Sequence, residues 1–392
     1  MPQAVVDRIK VIDADTHVSE PPDLWTSRVS NKWGELVPHV VFDDERKEEV
    51  WYFGGSRYHP TAGAAMAGWR EFPPAHPPSL DEADRASWDS VARLQRMDEY
   101  GIHAQVIYPN VGGFGSGRFL QLGEPELMLE CVQAYNDFLI DWIQPNPERF
   151  VPIMALPFWD VEAATREIQR CHKKGHKGIL FGSEPHIFGQ PHLADPHWNP
   201  IWETAQELGL TINFHIASGD MTQLFGSGYP GNGRQANYAK TTVMFFLDNA
   251  RAVMEVIISG ICHRYPRLNF VSVESGVGWV PFVLEALDWQ WLNSGCQQEH
   301  PEMDLLPSEY FKRQVYACFW FERGSAEKAI ELVGADNLLY ETDFPHPTSM
   351  SPGPASFADN PKDFIEQNLS KLPEDVLRKI LHDNAARLYH LS

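Results

Sequence analysis

The sequence predicts an α/β protein with a (β/α)8 TIM-barrel fold, and two patterns along the chain support this. Short runs of β-branched and aromatic residues alternate with longer stretches whose apolar residues recur at helical spacing. Strand–helix alternation repeated eight times favours a closed parallel barrel over an open doubly wound sheet. Because a barrel with insertions reaches the length of 392 residues, we expect a single domain over residues 1–392.

The predicted strands are short and the predicted helices are longer. The strands are expected at residues 11–15, 104–108, 150–156, 178–181, 211–215, 268–274, 314–319 and 337–342. The helices are expected at residues 126–143, 161–173, 200–208, 241–259, 280–292 and 325–332. The carboxyl ends of all the strands should therefore meet at one mouth, where barrel folds place their chemistry.

The stretch between the first two strands, residues 18–87, breaks this rhythm. It is rich in proline, glycine and tryptophan, and a loop of that length is uncommon unless it has a function. We expect an insertion that caps the barrel mouth, either as a cover for the core or as a lid whose aromatic residues wall a substrate pocket. The aromatic candidates are Trp25, Trp33, Trp51, Tyr52, Phe53, Trp69 and Phe72, with Trp25, Trp51 and Trp69 as expected substrate contacts.

The charge balance argues against several classes of partner. Acidic residues outnumber basic ones 53 to 32, and a formal charge of −21 would repel nucleic acid and anionic membranes. No segment approaches the length of a membrane span, and the N-terminus lacks a signal-peptide pattern. The five cysteines are scattered and form no CxxC pair, so we expect them to be reduced. These features predict a cytoplasmic protein.

Polar residues at the ends of several predicted strands point to a metal site. Asp15 and His17 lie two residues apart on the first strand, so their side chains share one face. Three more metal-binding residue types end later strands, namely His215, Glu274 and Asp343. Strand-end acids often cap helices and many histidines are structural, but five such residues at one barrel mouth favour a divalent cation that compensates the buried carboxylates.

Motifs along most of the chain resemble the amidohydrolase superfamily, in particular the branch with the aminocarboxymuconate-semialdehyde and resorcylate decarboxylases. The motifs that carry the resemblance occupy residues 12–17, 105–109, 191–198, 214–215, 274–281 and 343–346. The resemblance implies that His17 and the strand-five His215 bind metal, and that Asp343 of strand eight binds metal or acts in catalysis. It implies a barrel enzyme but does not identify the reaction.

The chain departs from the usual pattern of the family at two positions. Asp15 stands where the family has the first histidine of His-x-His, and Glu274 stands where many members have histidine. Each exchange replaces a nitrogen ligand with a carboxylate, which favours manganese or iron over zinc without excluding zinc. The strand-six histidine that could transfer a proton is also lost, so His346 or, less favourably, His263 would take its place. One or two ions fit this set, with Glu184 or Glu274 as a bridge.

Three functions remain open on these grounds. The first is a metal-dependent hydrolase or non-oxidative decarboxylase of a small carboxylated, cyclic or aromatic substrate, in which Asp343, His346 or Glu274 moves the proton. The second is a non-haem di-iron or iron–manganese oxygenase on the same barrel. The third is a non-catalytic metal-binding partner subunit.

Arginines and surface aromatics suggest two further features. Arg118, Arg234 or Arg323 could pair with a substrate carboxylate, and Arg118 is the expected substrate contact. Aromatic residues that look exposed on the helix at residues 282–292 make a homodimer plausible. The sequence thus predicts a small-molecule enzyme whose substrate it does not identify.

Overall fold

The computed structural model describes residues 3–219 and 228–391 and contains the expected barrel. Eight parallel strands follow one another around the sheet in chain order. The segment after the last strand pairs with the first, since the His17 amide donates to the Phe344 carbonyl at 2.7 Å and the Asp343 amide donates to the Asp15 carbonyl at 3.0 Å. These bonds close the ring at its mouth.

The barrel strands confirm all eight predicted segments. They are β1 (Val11–His17), β5 (Ile102–Tyr108), β6 (Phe150–Met154), β7 (Gly178–Leu180), β8 (Thr211–His215), β9 (Phe270–Val273), β10 (Val315–Phe319) and β11 (Leu338–Tyr340). Their inward side chains form one apolar cluster inside the barrel, and their outward side chains pack against the helices in a second, larger cluster. Both faces of the parallel sheet are therefore buried.

Helices cover the outside of the barrel. Those of eight or more residues are Ser90–Tyr100, Pro125–Trp142, Val161–Lys174, Asn199–Leu208, Arg234–Phe246, Asn249–Ile258, Val280–Asn293, Pro307–Gln314 and Gly324–Val333. Shorter ones are Val5–Arg8, Ile261–Arg264, Cys296–Glu299, Pro361–Phe364, Glu374–Arg378 and Asn384–Tyr389. In the part of the chain that the structure describes, no helix is long and apolar enough to cross a membrane.

The helix expected at residues 241–259 is wrong in one respect, because the chain forms two helices there, Arg234–Phe246 and Asn249–Ile258. The buried Asn249 donates its side-chain amide to the carbonyls of Phe214 and Val273, both at 2.8 Å. These bonds anchor the second helix to the ends of β8 and β9. Tertiary hydrogen bonds thus fix where it begins, and helical periodicity alone does not reveal them.

The insertion contains regular structure that its composition does not suggest. Its three antiparallel strands are β2 (His39–Asp43), β3 (Glu48–Phe53) and β4 (Ser56–Pro60). Gly54 and Gly55 join β3 to β4, and both have positive φ, of 53° and 79°. Two glycines between strand-like runs are the ordinary signal of a tight hairpin, so this element was readable from sequence. The division of the chain into one domain with a lid at residues 18–87 stays a prediction.

Candidate metal centre

All six predicted metal or catalytic residues come together at the barrel mouth. Each lies at or just beyond the carboxyl end of a strand, and each is at least nine-tenths buried; they are Asp15, His17, His215, Glu274, Asp343 and His346. The ligand atoms of Asp15, His17, His215 and Glu274 all lie within 4.8 Å of one another, and so do those of His17, Glu274, Asp343 and His346. The carboxyl ends of β1, β8, β9 and β11 therefore build one polar cluster.

Backbone and side-chain carbonyls fix which nitrogen of each histidine faces this cluster. His17 Nδ1 lies 3.0 Å from the Pro109 carbonyl, and His215 Nδ1 lies 3.0 Å from the Ile216 carbonyl. Because a carbonyl only accepts, both Nδ1 atoms carry a proton, and in the neutral imidazole the Nε2 atom then carries a lone pair. His346 is reversed, since its Nε2 lies 2.6 Å from Asn110 Oδ1 and, where that oxygen accepts, its Nδ1 carries the lone pair.

The lone pairs point at one another rather than at donors. His17 Nε2 lies 3.1 Å from His215 Nε2, and each nitrogen also faces a carboxylate oxygen of Asp15, at 3.3 and 3.6 Å. Neither oxygen of Asp15 accepts a hydrogen bond from the described residues, although the side chain is completely buried. Lone pairs and anionic oxygens that converge without a proton between them require a cation. The donor set therefore fits a divalent metal ion.

Two of the acidic residues are held in an unusual backbone conformation. Glu274 and Asp343 have φ values of 55° and 57°, in the left-handed region that non-glycine residues rarely adopt. The Thr348 hydroxyl lies within hydrogen-bond distance of both carboxylates, at 3.2 Å from Glu274 Oε1 and closer to Asp343 Oδ2. Such conformations cluster at functional sites, where surrounding contacts enforce them.

The cluster contains more acidic groups than its imidazoles can balance with positive charge. Burial, followed by repulsion from other carboxylates, raises the pKa of both Glu274 and Asp343 well above the usual range. Burial, followed by the charge of His346, lowers the pKa of His17 to about 3, so His17 is neutral at physiological pH. Burial also lowers the pKa of His346. With these imidazoles neutral, a bound cation would compensate the carboxylates.

Two cavities that share lining residues lie at the barrel mouth, with volumes of about 490 and 750 Å³, and the smaller one reaches the cluster at His346. Both are lined by Tyr58 and His59 of the insertion and by Asn110 and Phe114 of the barrel. His346 lines the smaller cavity and Arg118 the larger one. The Phe114 ring stacks on His215 with centroids 3.9 Å apart, so an aromatic wall adjoins the candidate metal site.

The three tryptophans expected to contact substrate lie elsewhere. Trp25 and Trp51 are completely buried and pack edge to face at 5.1 Å in the core. Trp69 is 9% exposed, and the Arg70 guanidinium lies over its ring. None of the three lines either cavity, so the expectation for Trp25, Trp51 and Trp69 is corrected. The insertion does reach the mouth, but through Tyr58 and His59, which follow the glycine turn of the hairpin.

Of the three predicted arginines, Arg118 lines one of the two cavities, and Arg234 and Arg323 line neither. Its guanidinium stacks on the Tyr58 ring at 3.8 Å, and no carboxylate of the described residues lies within 4.0 Å of it. Arg323 instead pairs with Asp359 at 2.7 Å, and Arg234 is exposed. His263 hydrogen-bonds Tyr310 at 3.0 Å and belongs to neither metal-binding group, while Glu184 pairs with Arg251.

Sequence analysis missed two residues of the site, and for one of them, Asn110, a signal was present. Asn110 follows the end of β5, as the predicted ligands follow other strands, and it contacts His346. Thr348 lies two residues beyond His346 and contacts two carboxylates. Asn110 could have been found from its position after a strand end, where barrel folds place functional residues. It was missed because only metal-binding residue types were considered there.

The chain matches a protein family described as amidohydrolase over residues 12–391. It is 26% identical to a gamma-resorcylate decarboxylase of a Polaromonas strain over 332 residues, which cover 82% of this chain and 92% of the relative. The match spans nearly the whole described barrel.

Solved structures of low sequence identity share the fold. An amidohydrolase of Mycobacterium avium subsp. paratuberculosis is 20% identical, with a TM-score of 0.75 over 97% of this chain and 99% of that protein. A dihydroxybenzoic acid decarboxylase of Polaromonas, solved with manganese and an inhibitor, 2-nitroresorcinol, is 22% identical, with a TM-score of 0.62 over 98% of each chain. Both likenesses agree with the barrel described above.

Proposed function

Since the chain belongs to the amidohydrolase family and is a metal-dependent enzyme of that fold, we propose that it catalyses the non-oxidative decarboxylation of a small aromatic carboxylate. The observation that carries this proposal is the convergence of imidazole lone pairs and buried carboxylates beside a cavity with an aromatic wall. The relative named gamma-resorcylate decarboxylase supports the reaction class.

Asp15, His17 and His215 are the proposed ligands of the essential ion, with Asp343 and Glu274 completing its surroundings. Manganese is the first candidate, because the carboxylate-rich set favours hard ions and the Polaromonas structure contains manganese. The bound ion would supply a fixed positive charge that orients and polarises the substrate carboxylate. The Pro109 and Ile216 carbonyls hold the two imidazoles in the required tautomer.

Asp343 and His346 are the proposed proton-transfer pair. Decarboxylation breaks the bond between the ring carbon and the carboxylate, releases CO₂ and adds one proton to that carbon. Burial and the charge of Asp15 raise the pKa of Asp343, so its carboxyl group can hold this proton at neutral pH. His346 Nδ1 lies 2.7 Å from Asp343 Oδ1 and 4.0 Å from Glu274 Oε2, so it can exchange a proton with Asp343 and Glu274 can assist.

The cavity walls suggest how the substrate is held. Phe114 and Tyr58 offer aromatic faces to a planar ring, and Arg118 offers a guanidinium to an anionic or hydroxyl substituent. This assignment keeps Arg118 as the substrate contact and replaces the tryptophans with Phe114 and Tyr58.

The test is an anaerobic assay of manganese-loaded protein with 2,6-dihydroxybenzoate and 5-carboxyvanillate, two acids that appear in the names of structural neighbours. We expect CO₂ and the ring product from at least one acid, and loss of activity in His215→Ala. His263→Ala is the matched control, because that imidazole bonds Tyr310 away from the cluster.

Turnover that requires oxygen would contradict decarboxylation and favour the oxygenase hypothesis, which no comparison supports. No turnover of either acid, together with hydrolysis of a cyclic amide or ester, would favour the hydrolase. Metal binding without any turnover would favour a non-catalytic subunit. The same protein in size-exclusion chromatography would test the predicted homodimer.

A further inference from the structure

A buried arginine outside the candidate metal centre contacts the backbone of one of its ligands. Arg93, on the helix Ser90–Tyr100, has no exposed surface. Its Nη2 donates to the His17 carbonyl at 2.6 Å, and its Nε donates to the Ala86 carbonyl at 2.6 Å. The guanidinium also lies over the Phe344 ring at 4.5 Å. One side chain thus joins the end of the insertion, the end of β1 and the segment after β11.

A chain of buried side chains extends from Arg93 to the other side of the site. Arg93 Nη1 donates to Gln105 Oε1 at 3.3 Å, and Gln105 Nε2 donates to Asp13 Oδ2 at 3.0 Å. Asp13 then accepts both the amide of Thr342, at 2.8 Å, and its hydroxyl, at 2.6 Å. The network ends on the residue that precedes Asp343.

This endpoint matters because Asp343 is held in the left-handed conformation, with φ at 57°. A residue in that region persists only where its neighbours over-determine the backbone. The paired bonds from Thr342 to Asp13 fix the preceding residue, and the bond from the Asp343 amide to the Asp15 carbonyl fixes Asp343 itself. The backbones of His17 and Asp343 are therefore held by a single connected network.

We propose that Arg93 is a positioning residue that sets the geometry of the metal ligand His17 and of the proton-transfer residue Asp343. The proposal rests on the metal-dependent function proposed above. A guanidinium is suited to this role because its donors lie on three nitrogens in one plane, whereas the three donors of an ammonium share one nitrogen. Arg93 also touches the Ala86 end of the insertion, so it connects the placement of the insertion with that of the ligands.

The test is the Mn²⁺ affinity of purified full-length protein, measured from the free Mn²⁺ signal in electron paramagnetic resonance. We expect Arg93→Lys to raise the dissociation constant by about tenfold or more, as substitutions behind metal ligands commonly do. Gln105→Met, which cuts the network between Arg93 and Asp13, should shift it in the same direction. Gln105→Met also answers the question if Arg93→Lys does not fold.

Arg149→Lys is the matched control. Arg149 also donates to two backbone carbonyls, of Ile102 at 2.8 Å and of His103 at 2.7 Å, but these lie at the opposite end of β5 from the mouth. A lower melting temperature in both arginine variants, with an unchanged dissociation constant in both, would overturn the proposal, because it would show a purely structural role. An equal loss of Mn²⁺ affinity in Arg149→Lys would also overturn it. A wild-type protein that binds no Mn²⁺ would overturn the proposed function as well.

Discussion

Two acidic residues on β1, Asp13 and Asp15, are equally buried and have opposite surroundings. Both are completely inaccessible to solvent. Asp13 accepts hydrogen bonds from Thr342 and Gln105, whereas neither oxygen of Asp15 accepts any from the described residues. A buried carboxylate without donors is costly unless a cation approaches it, so the contrast separates a structural acid from a proposed metal ligand.

An irregularity in β1 produces this difference. The register between β1 and β5 shifts between Asp13 and Thr16. Ile12 and Ala14 fill the barrel interior, Asp13 bonds Gln105 and Thr342, and Asp15 faces the mouth cluster. A bulge re-aims a side chain in this way, and bulges are common beside active sites. The two acids are thereby separated although the sequence places them on the same face of a regular strand.

The largest expected effect comes from removing the charge of Asp15. Asp15→Asn should weaken Mn²⁺ binding by more than about 100-fold, beyond the range seen when only a residue behind a ligand is changed. Without metal, the same variant should be as stable as the wild type or more stable, because an unpaired buried charge is gone. Manganese titration and urea unfolding of chelated protein measure the two effects. Wild-type Mn²⁺ affinity in Asp15→Asn would contradict the assignment.

Metal removal should have the next largest effect. Mn²⁺ at 100 times its dissociation constant should raise the free energy of unfolding of the wild type by about 2.7 kcal/mol, because the ion binds the folded state alone. Removing the ion with a chelator should abolish this gain. Asp15→Asn should show a shift of less than about 0.4 kcal/mol at that concentration, because its affinity is more than about 100-fold weaker. Urea unfolding with and without chelator measures the difference, and an equal shift in both proteins would place the ion elsewhere.

Asp13→Asn should lower the free energy of unfolding, unlike Asp15→Asn in the absence of metal. An amide at this position brings its NH₂ group against the donors of Thr342 or Gln105 and loses an acceptor, which costs about 1–3 kcal/mol for an unsatisfied buried group. Urea unfolding of metal-free protein measures the loss. The exposed Asp7→Asn is the control, expected within about 0.5 kcal/mol of wild type. A neutral Asp13→Asn would remove the contrast with Asp15.

Glu20 is intermediate between Asp13 and Asp15, and its substitution should have the smallest effect on stability. Its Oε1 accepts the amides of Asn110 and Val111, both at 2.9 Å, while its Oε2 has no partner among the described residues. Burial raises the pKa of Glu20 from 4.5 to about 7. Between these values the folded state retains a proton that the unfolded state has released. The free energy of unfolding should therefore fall as pH rises, by at most about 1.4 kcal/mol per pH unit.

Glu20→Gln removes this titration. Its stability should depend less on pH than that of the wild type between pH 4.5 and about 7. Melting temperatures across that range measure the slope for both proteins. If the melting temperatures of the two proteins changed in parallel with pH, Glu20 would have an ordinary pKa and its unpartnered oxygen would not favour the protonated form.

Much of the fold and the ligand set could be predicted because they depend on local patterns. Apolar runs such as that of β8 and helical periodicity such as that of Val161–Lys174 give the eightfold alternation that favours a closed barrel. Parallel strands end at the same mouth, so Asp15, His17, His215, Glu274 and Asp343 could be grouped from their positions at strand ends. The substrate contacts could not be predicted in this way, because an insertion outside the strand–helix repeat has no such rule.

The sequence by itself determined the barrel, the strand-end positions of the candidate ligands and the carboxylate-rich character of the candidate metal site, since each follows from residue type and spacing. Only the tertiary structure decided that Trp25 and Trp51 pack in the core, because an apolar aromatic residue serves a core and a pocket equally well. It also decided that Asp13 is satisfied and Asp15 is not, and that Arg93 holds the His17 carbonyl. Hydrogen bonds between residues distant in the chain leave no local pattern, so only folding reveals them.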